Sequence, residues 1–174
     1  KKIITAGAYT TFARYTGYYV NRIASFSSKG PTADGRTKPD ITAPGDAIVS
    51  SIPDVANVIN NADGKIAQSI ENKTYYWAYM SGTSMAAPFV TGVLATWLEA
   101  NPQLTPEKVR EVFSTTAMTD TYTGTCPNNT WGYGKIDAYE GLLKVIATTP
   151  IQNLEKMPDA IMLYPNPNNG SFKL

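Results

Sequence analysis

Ser81-Gly82-Thr83-Ser84-Met85-Ala86-Ala87-Pro88 is the stretch on which the reading of this chain turns. A small, turn-capable pair leads into Thr83-Ser84. An apolar run follows through Ala86, Ala87, Phe89, Val90, Val93, Leu94, Ala95, Trp97 and Leu98, leaving no continuous polar face up to Ala100. A helix that is apolar nearly all round is a buried helix. Pro88 fits only because it lies near the start, where backbone N–H groups lack intrahelical partners. Ser84 thus stands at the entry to a buried helix. An oxyanion forming beside it would meet unpaired N–H groups and the positive end of the helix dipole. Gly82 permits a sharp turn and the close approach of another backbone. Local chemistry also offers a plainer role: serine is a favoured N-cap, and capping serines far outnumber nucleophiles.

Downstream of this helix the pattern is of the ordinary surface kind. Thr105 is the expected N-cap of a second helix, with Pro106 at its first position and Glu107 favouring its positive end. Val109, Val112, Phe113 and Ala117 supply its apolar stripe. After a loop over residues 118–129 comes Trp131-Gly132-Tyr133-Gly134-Lys135-Ile136, and Asp137-x-x-Glu140 reads as a capping box. It opens a third helix through Leu142, Leu143, Val145 and Ile146. Residues 147–160 lack periodicity, contain Pro150 and Pro158, and read as a linker. The last segment, 161–174, is strand, turn and strand start, with Asn169-Gly170 as a hairpin signal.

Upstream, Lys1-Lys2-Ile3-Ile4-Thr5-Ala6-Gly7-Ala8 is too short in its apolar run for a signal peptide and reads as a core strand. The chain is therefore expected to begin in the middle of a fold. Residues 25–45 are turn-rich, with Gly30-Pro31, Asp34-Gly35 and Pro44-Gly45 as breakers. Within them Asp40-Ile41-Thr42-Ala43 is a short strand candidate, and residues 47–52 are a better one, with Ile48, Val49 and Ile52. Between residues 53 and 79 two alternating pieces flank Asn60-Asn61-Ala62-Asp63-Gly64, where Asp63-Gly64 predicts a hairpin turn or a protruding loop. Tyr75, Tyr76, Trp77 and Tyr79 read as a half-buried strand in preference to an aromatic binding platform.

Composition bounds the chemistry. The 174 residues hold 15 Lys+Arg against 14 Asp+Glu, a formal net charge of +1, one cysteine and no histidine. That balance gives no electrostatic case for nucleic acid or an anionic membrane, and no apolar run is long enough to span a bilayer. Lone Cys126 excludes an internal disulfide framework and a Cys-based zinc site. With no histidine, a Ser-His-Asp system cannot be completed from these residues alone.

The Ser84 segment resembles the nucleophile segment of the subtilisin-like serine proteases. Ser25-Phe26-Ser27-Ser28-x-Gly30-Pro31 and Lys38-Pro39-Asp40-Ile41-Thr42-Ala43-Pro44-Gly45 are similar to the two family segments that precede it. Thr105-Pro106-x-x-Val109-Arg110 and Gly132-Tyr133-Gly134-Lys135-Ile136-Asp137-Ala138 are similar to those that follow. All five stand in family order across residues 1–146. The resemblance implies a three-layer α/β fold with a mainly parallel sheet, present here as its C-terminal half. It also implies an Asp-His-Ser triad in which Ser84 attacks a scissile peptide carbonyl and its own N–H helps to hold the oxyanion. Thr83 and Gly82 would lie beside the oxyanion hole and Met85 near the leaving group.

In that order the aspartate, the histidine and the oxyanion asparagine lie upstream of the segment that matches Lys1. An N-terminal portion, on the same or a companion chain, is therefore the expected partner, alongside a protein or peptide substrate. The 174 residues alone are expected to fold poorly and to hydrolyse no peptide. No cofactor is required for the chemistry; whether a structural calcium is bound is not readable from these residues. The alternative is a pseudoprotease, a binding module in which the fold survives without its His or Asp. Two departures stand out: Phe89 replaces a frequent histidine, and residues 53–75 form a longer stretch than in compact members, read as surface decoration rather than a border of the cleft. The tail, Leu163-Tyr164-Pro165-Asn166-Pro167-Asn168-Asn169-Gly170-Ser171-Phe172, resembles the opening of the sorting domains of Bacteroidetes type IX secretion. It implies export through that machinery to the cell surface or beyond. The domains are then 1–146 peptidase portion, 147–160 linker and 161–174 sorting-domain start.

Overall fold

The computed structural model describes residues 3–11 and 21–149. Its elements run β1 (Ala6–Thr10), β2 (Ile41–Asp46), β3 (Ile48–Ile52), α1 (Ala56–Asn61), β4 (Asp63–Ile70), β5 (Lys73–Met80), α2 (Thr83–Ala100), α3 (Pro106–Thr116) and α4 (Ala138–Thr148). This is an α/β fold with two sheets. In the first, β1 and β2 lie parallel, Ala6 against Ile41 through Tyr9 against Pro44. A parallel bridge from Thr42 to Lys135 extends this pair on its other side. In the second, β5 lies between β3 and β4, antiparallel to both.

The expected mainly parallel sheet therefore holds for the core layer only. Most strand residues belong to the antiparallel sheet, because the long stretch between residues 53 and 80 folds back on β3. The hairpin predicted there exists, but its turn is not at Asp63-Gly64. It lies at Glu71-Asn72, both left-handed with φ of 49° and 61°, the signature of a two-residue turn that matches strand twist. Gly64, at φ 59°, sits instead where the β4–β5 register shifts between Asp63 and Ile66. All eight residues of β4 are exposed, and Trp77 and Tyr79 of β5 are half-buried around buried Ala78.

Pro44-Gly45, expected as a breaker, lies inside β2. The register jumps there, Tyr9 facing Pro44 and Thr10 facing Asp46, and a bulge tolerates a proline that cannot donate to the ladder. Gly45 is also a contact point: a Cβ there would come within 2.6 Å of the Ala8 Cβ and 3.0 Å of the Gly82 carbonyl. The absent side chain lets the start of α2 sit directly on β2.

The core forms on one face of α2, which meets β1 and β2 along its first turns and α3 and α4 toward its end at Trp97. Ala8, Ile41 and Ala43 face Ala86, Val90 and Val93, and Val109, Val112, Phe113, Ile136 and Val145 complete the cluster. Trp97 is fully buried, its ring 5.7 Å from that of Phe113 and its indole N–H donating to the Ala138 carbonyl at 3.1 Å. A Cβ at Gly141 would lie 1.8 Å from the Trp97 ring, so a glycine is what allows α4 to cross α2 this closely. The helix starts follow the sequence. The Thr105 hydroxyl accepts from the Lys108 N–H at 3.3 Å, and the Asp137 carboxylate accepts from the N–H groups of Tyr139 and Glu140.

Two expectations change. α2 is not buried all round: Ala86, Val90, Val93 and Trp97 form one buried stripe, while Phe89 and Leu98 are 46% and 42% exposed. The strands and helices described here cover only one side of it. Phe89, the departure from a frequent histidine, is thus exposed on the face of α2 that the described residues leave uncovered. α4 also continues through Ala147 and Thr148, the first two residues of the expected linker. Residues 150–174, with the expected sorting hairpin, lie outside the described residues. No helix among the described residues is long and apolar enough to cross a membrane.

Candidate active site

The C-terminal end of β2 and the start of α2 are tied together by three hydrogen bonds. The Gly82 N–H donates to the Gly45 carbonyl at 2.8 Å. The Ser81 hydroxyl donates to Asp46 Oδ1 at 2.7 Å and accepts from the Ala47 N–H at 2.9 Å. These contacts fix where the helix begins, and with it the place of Ser84.

Ser84 is not the cap. The N-cap is Gly82, at φ 157° and ψ 159°, and no side chain caps the helix. Thr83 is the first helical residue and Ser84 the second. Ser84 is exposed, and its hydroxyl makes no hydrogen bond among the described residues. The Met85 N–H turns back to the Gly82 carbonyl at 3.0 Å, while the N–H groups of Thr83 and Ser84 have no backbone acceptor there. With no acidic residue in the first turn, the positive end of the dipole stays uncompensated. A hydroxyl therefore stands exposed beside uncommitted N–H donors, an arrangement able to receive a developing negative charge. Gly82, Thr83, Ser84 and Met85 all sit on this one helix start.

No partner for the hydroxyl is supplied nearby among the described residues. The chain has no histidine, and the most buried described carboxylate, Asp40, belongs to the opposite end of β2. Six strand residues separate the two ends, about 20 Å at the usual strand rise. Asp40 is also fully engaged. It accepts from the Thr5 N–H at 2.7 Å, the Thr5 hydroxyl at 2.9 Å and Arg110 Nε at 3.0 Å, and it pairs with Lys38 Nζ. Burial alone would raise its pKa, but the hydrogen bonds from Lys38, Thr5 and Arg110 hold the carboxyl below its ordinary range. Arg110 in turn donates to the Ile3 carbonyl at 2.6 Å. Lys38-Pro39-Asp40 and Thr105-Pro106-x-x-Val109-Arg110, distant in sequence, thus join in one ion-paired anchor under the sheet.

Sequence reading missed three features. Nothing local relates Ser81 to Asp46 across 35 residues. Lys135 is buried, bonded to Asp120 Oδ2 at 2.6 Å, and lies 5.2 to 5.9 Å from the rings of Tyr9, Trp131 and Tyr122. The lysine bond, followed by N–H bonds from Thr123 and Tyr122, lowers the Asp120 pKa despite some burial. The third is a cleft of about 710 Å³ at the C-terminal ends of β1 and β2, bounded by Thr10, Arg22, Asp46, Tyr122 and Trp131 among others. Cys126 is half-buried and free; burial pushes its thiol pKa up.

The profile of the Subtilase family matches residues 1–134. Serine protease AprX of Bacillus subtilis (strain 168) is 40% identical over 116 residues, 67% of this chain and 24% of that protein. Pyrolysin of Pyrococcus furiosus is 36% identical over 145 residues, 79% of this chain and 9% of that protein. Among solved structures, the Clostridium perfringens CspB protease superposes with a TM-score of 0.59 at 24% identity, covering 86% of this chain and 28% of that one. The chain thus spans about a quarter or less of the length of these two relatives.

Proposed function

Because the chain belongs to the subtilase family of serine peptidases, we propose that it is the nucleophile-bearing portion of an endopeptidase. Ser84 Oγ attacks the carbonyl carbon of a peptide bond, and the hydroxyl proton passes to a histidine supplied by an N-terminal portion of the protease. That histidine protonates the departing amine, and water then releases the acyl group from Ser84. The Ser84 N–H and an asparagine from the N-terminal portion hold the oxyanion. Thr83 and Gly82 border the hole, and Met85 lies toward the leaving group. Chemistry of this kind draws on no cofactor.

One observation carries this reading. Ser84 is exposed at the second position of a helix whose start is capped by no side chain, so both its hydroxyl and its N–H are uncommitted. A serine kept for capping would be spent on the backbone. The test is labelling of the complete protein with a fluorophosphonate probe. Labelling that disappears in Ser84→Ala supports the assignment; labelling that persists in the variant sinks it.

We further propose that the protease acts outside the cell, exported by a type IX machinery that reads the segment beginning at residue 161. The support is the Leu163-Tyr164-Pro165-Asn166-Pro167 sequence alone. Joined to a reporter, the complete tail is expected to bring it to the cell surface or the medium. Retention in the periplasm would count against this address.

A further inference from the structure

We infer that the cleft at the ends of β1 and β2, bounded by the Asp46 that holds Ser81, is a substrate subsite in which Arg22 binds a carboxylate of the peptide. The inference rests on Ser84 being the nucleophile. Thr10 and Asp46 are register partners at the ends of β1 and β2. On the other side of β1, the Thr10 N–H donates to the Arg22 carbonyl at 2.9 Å, and the Arg22 N–H donates to the Thr10 hydroxyl at 3.3 Å. Asp46, Thr10 and Arg22 therefore follow one another at about 5 Å per step, the usual strand spacing. The cleft opens along this row, in the place where α/β sheets receive ligands.

The side chains decide what enters. Arg22 is exposed, and its guanidinium lies 5.5 Å over the Tyr122 ring. Stacking of this kind fixes the plane of the fork and leaves its N–H edges for a planar acceptor. Arg22 forms no ion pair among the described residues. Lys135, behind the same aromatic wall, is already neutralised by Asp120. At the near end, the Asp46 carboxylate holds the Ser81 hydroxyl and repels an anion placed beside it.

The distances then set a position. Ser81 lies three residues from Ser84, so at most about 10 Å of chain separates them. Asp46 to Arg22 adds roughly 10 Å more. An extended peptide with its carbonyl at Ser84 passes Asp46 first and reaches Arg22 about four to six residues from the scissile bond. A carboxylate is favoured there and not in the first two positions.

The test uses the complete protein and a peptide series in which one glutamate, paired with a glutamine control, walks outward on both sides of the cleaved bond. At about 20 mM ionic strength, kcat/KM for glutamate over glutamine should rise by about two- to fivefold at positions four to six only, the range of an exposed ion pair. At about 0.5 M salt the ratio should fall to near one, because such pairs are screened. Arg22→Gln should erase it, and Arg22→Glu should transfer it to lysine peptides. Peptides ending at those positions, with a free or amidated C-terminus, tell a terminal carboxylate from a side chain. A flat walk in the wild type, or a preference that survives high salt or Arg22→Gln, overturns the inference. If a variant fails to assemble, the salt series of the wild type decides alone. Fluorophosphonate labelling of Ser84 with a flat walk defeats this inference and leaves the nucleophile assignment standing; absent labelling defeats the assignment.

Discussion

Asp40, just before β2, and Asp46, its last residue, are carboxylates six positions apart in opposite circumstances. Asp40 is buried and receives four donors from three segments. Asp46 is partly open and accepts one hydroxyl, that of Ser81. One end of the strand is clamped by charge to α3 and to the entry of β1. The other is lightly tied and meets the uncapped start of α2. The strand thus separates what holds the domain together from what presents Ser84. If that division is right, substitutions at the two ends should fail in different ways.

The largest effect is expected at the Ser84 end. Ser84→Ala in the complete protein should lower peptide hydrolysis by roughly 10⁴- to 10⁶-fold, the range for removing an activated nucleophile. Its melting temperature should hardly move, since Ser84 is exposed and bonded to nothing described. A large loss of stability together with activity would erase the contrast between the ends.

At the Asp40 end the order reverses. Asp40→Ala takes the buried carboxylate away from Lys38 and Arg110, each less than one-fifth exposed, while Arg110 keeps Glu107 at 4.0 Å. Breaking a buried pair from one side costs about 3–5 kcal/mol, or roughly 6–20 °C in Tm for a domain of this size. Ser84 in the surviving folded fraction should still react with the probe. Thermal melts of the complete protein with and without the substitution check this, and a shift below about 1 °C would show that the clamp carries no weight.

The same end sets a response to acid. The Asp40 pKa lies below its ordinary value in the folded state, so the unfolded chain binds the proton more readily. Its contribution is full above the ordinary value of 3.8 and drains away as pH falls below that toward the folded value. Asp120, lowered chiefly by Lys135, acts in the same direction. Melting temperature should therefore be steady from about pH 7 to 5 and drop steeply below about 4. In Asp40→Asn the melting temperature should start lower and the acid slope should flatten. An unchanged slope would assign the acid response to other groups.

How much of this could be read beforehand follows the range of each interaction. The Thr105 cap, the Asp137 cap and the Ser84 helix were legible because their signals lie within four residues. The hairpin was legible as a hairpin, yet its turn was misplaced. A glycine was expected at the tip, while the structure uses Gly64 at a register shift and lets Glu71 and Asn72 take positive φ. Pro44-Gly45 misled for the same reason: a bulge turns a breaker into part of a strand. The face of α2 that meets the sheet could not be chosen from a sequence apolar on every side. Arg110 with Asp40, 70 residues apart, and Ser81 with Asp46, 35 apart, leave no periodic trace. Resemblance located the segments that hold three of these four residues and said nothing of what they bond.

The smallest effect sharpens the comparison most. If the Ser81–Asp46 bond positions the start of α2, its loss should be felt in turnover before stability. A single partly exposed hydrogen bond contributes about 1 kcal/mol, so Asp46→Ala and Ser81→Ala should each lower kcat by about fivefold, the equivalent of that energy. KM for short neutral peptides should change little, because neither residue meets a substrate that stops short of the cleft. Asp46→Asn keeps an oxygen acceptor for the Ser81 hydroxyl and should recover most of the rate. The double substitution should cost no more than Ser81→Ala alone, since that change already removes the bond to Asp46 together with the one from the Ala47 N–H. Additive losses, or no rescue by asparagine, would mean that Asp46 acts through its charge, and the light tie at this end of β2 would be electrostatic after all.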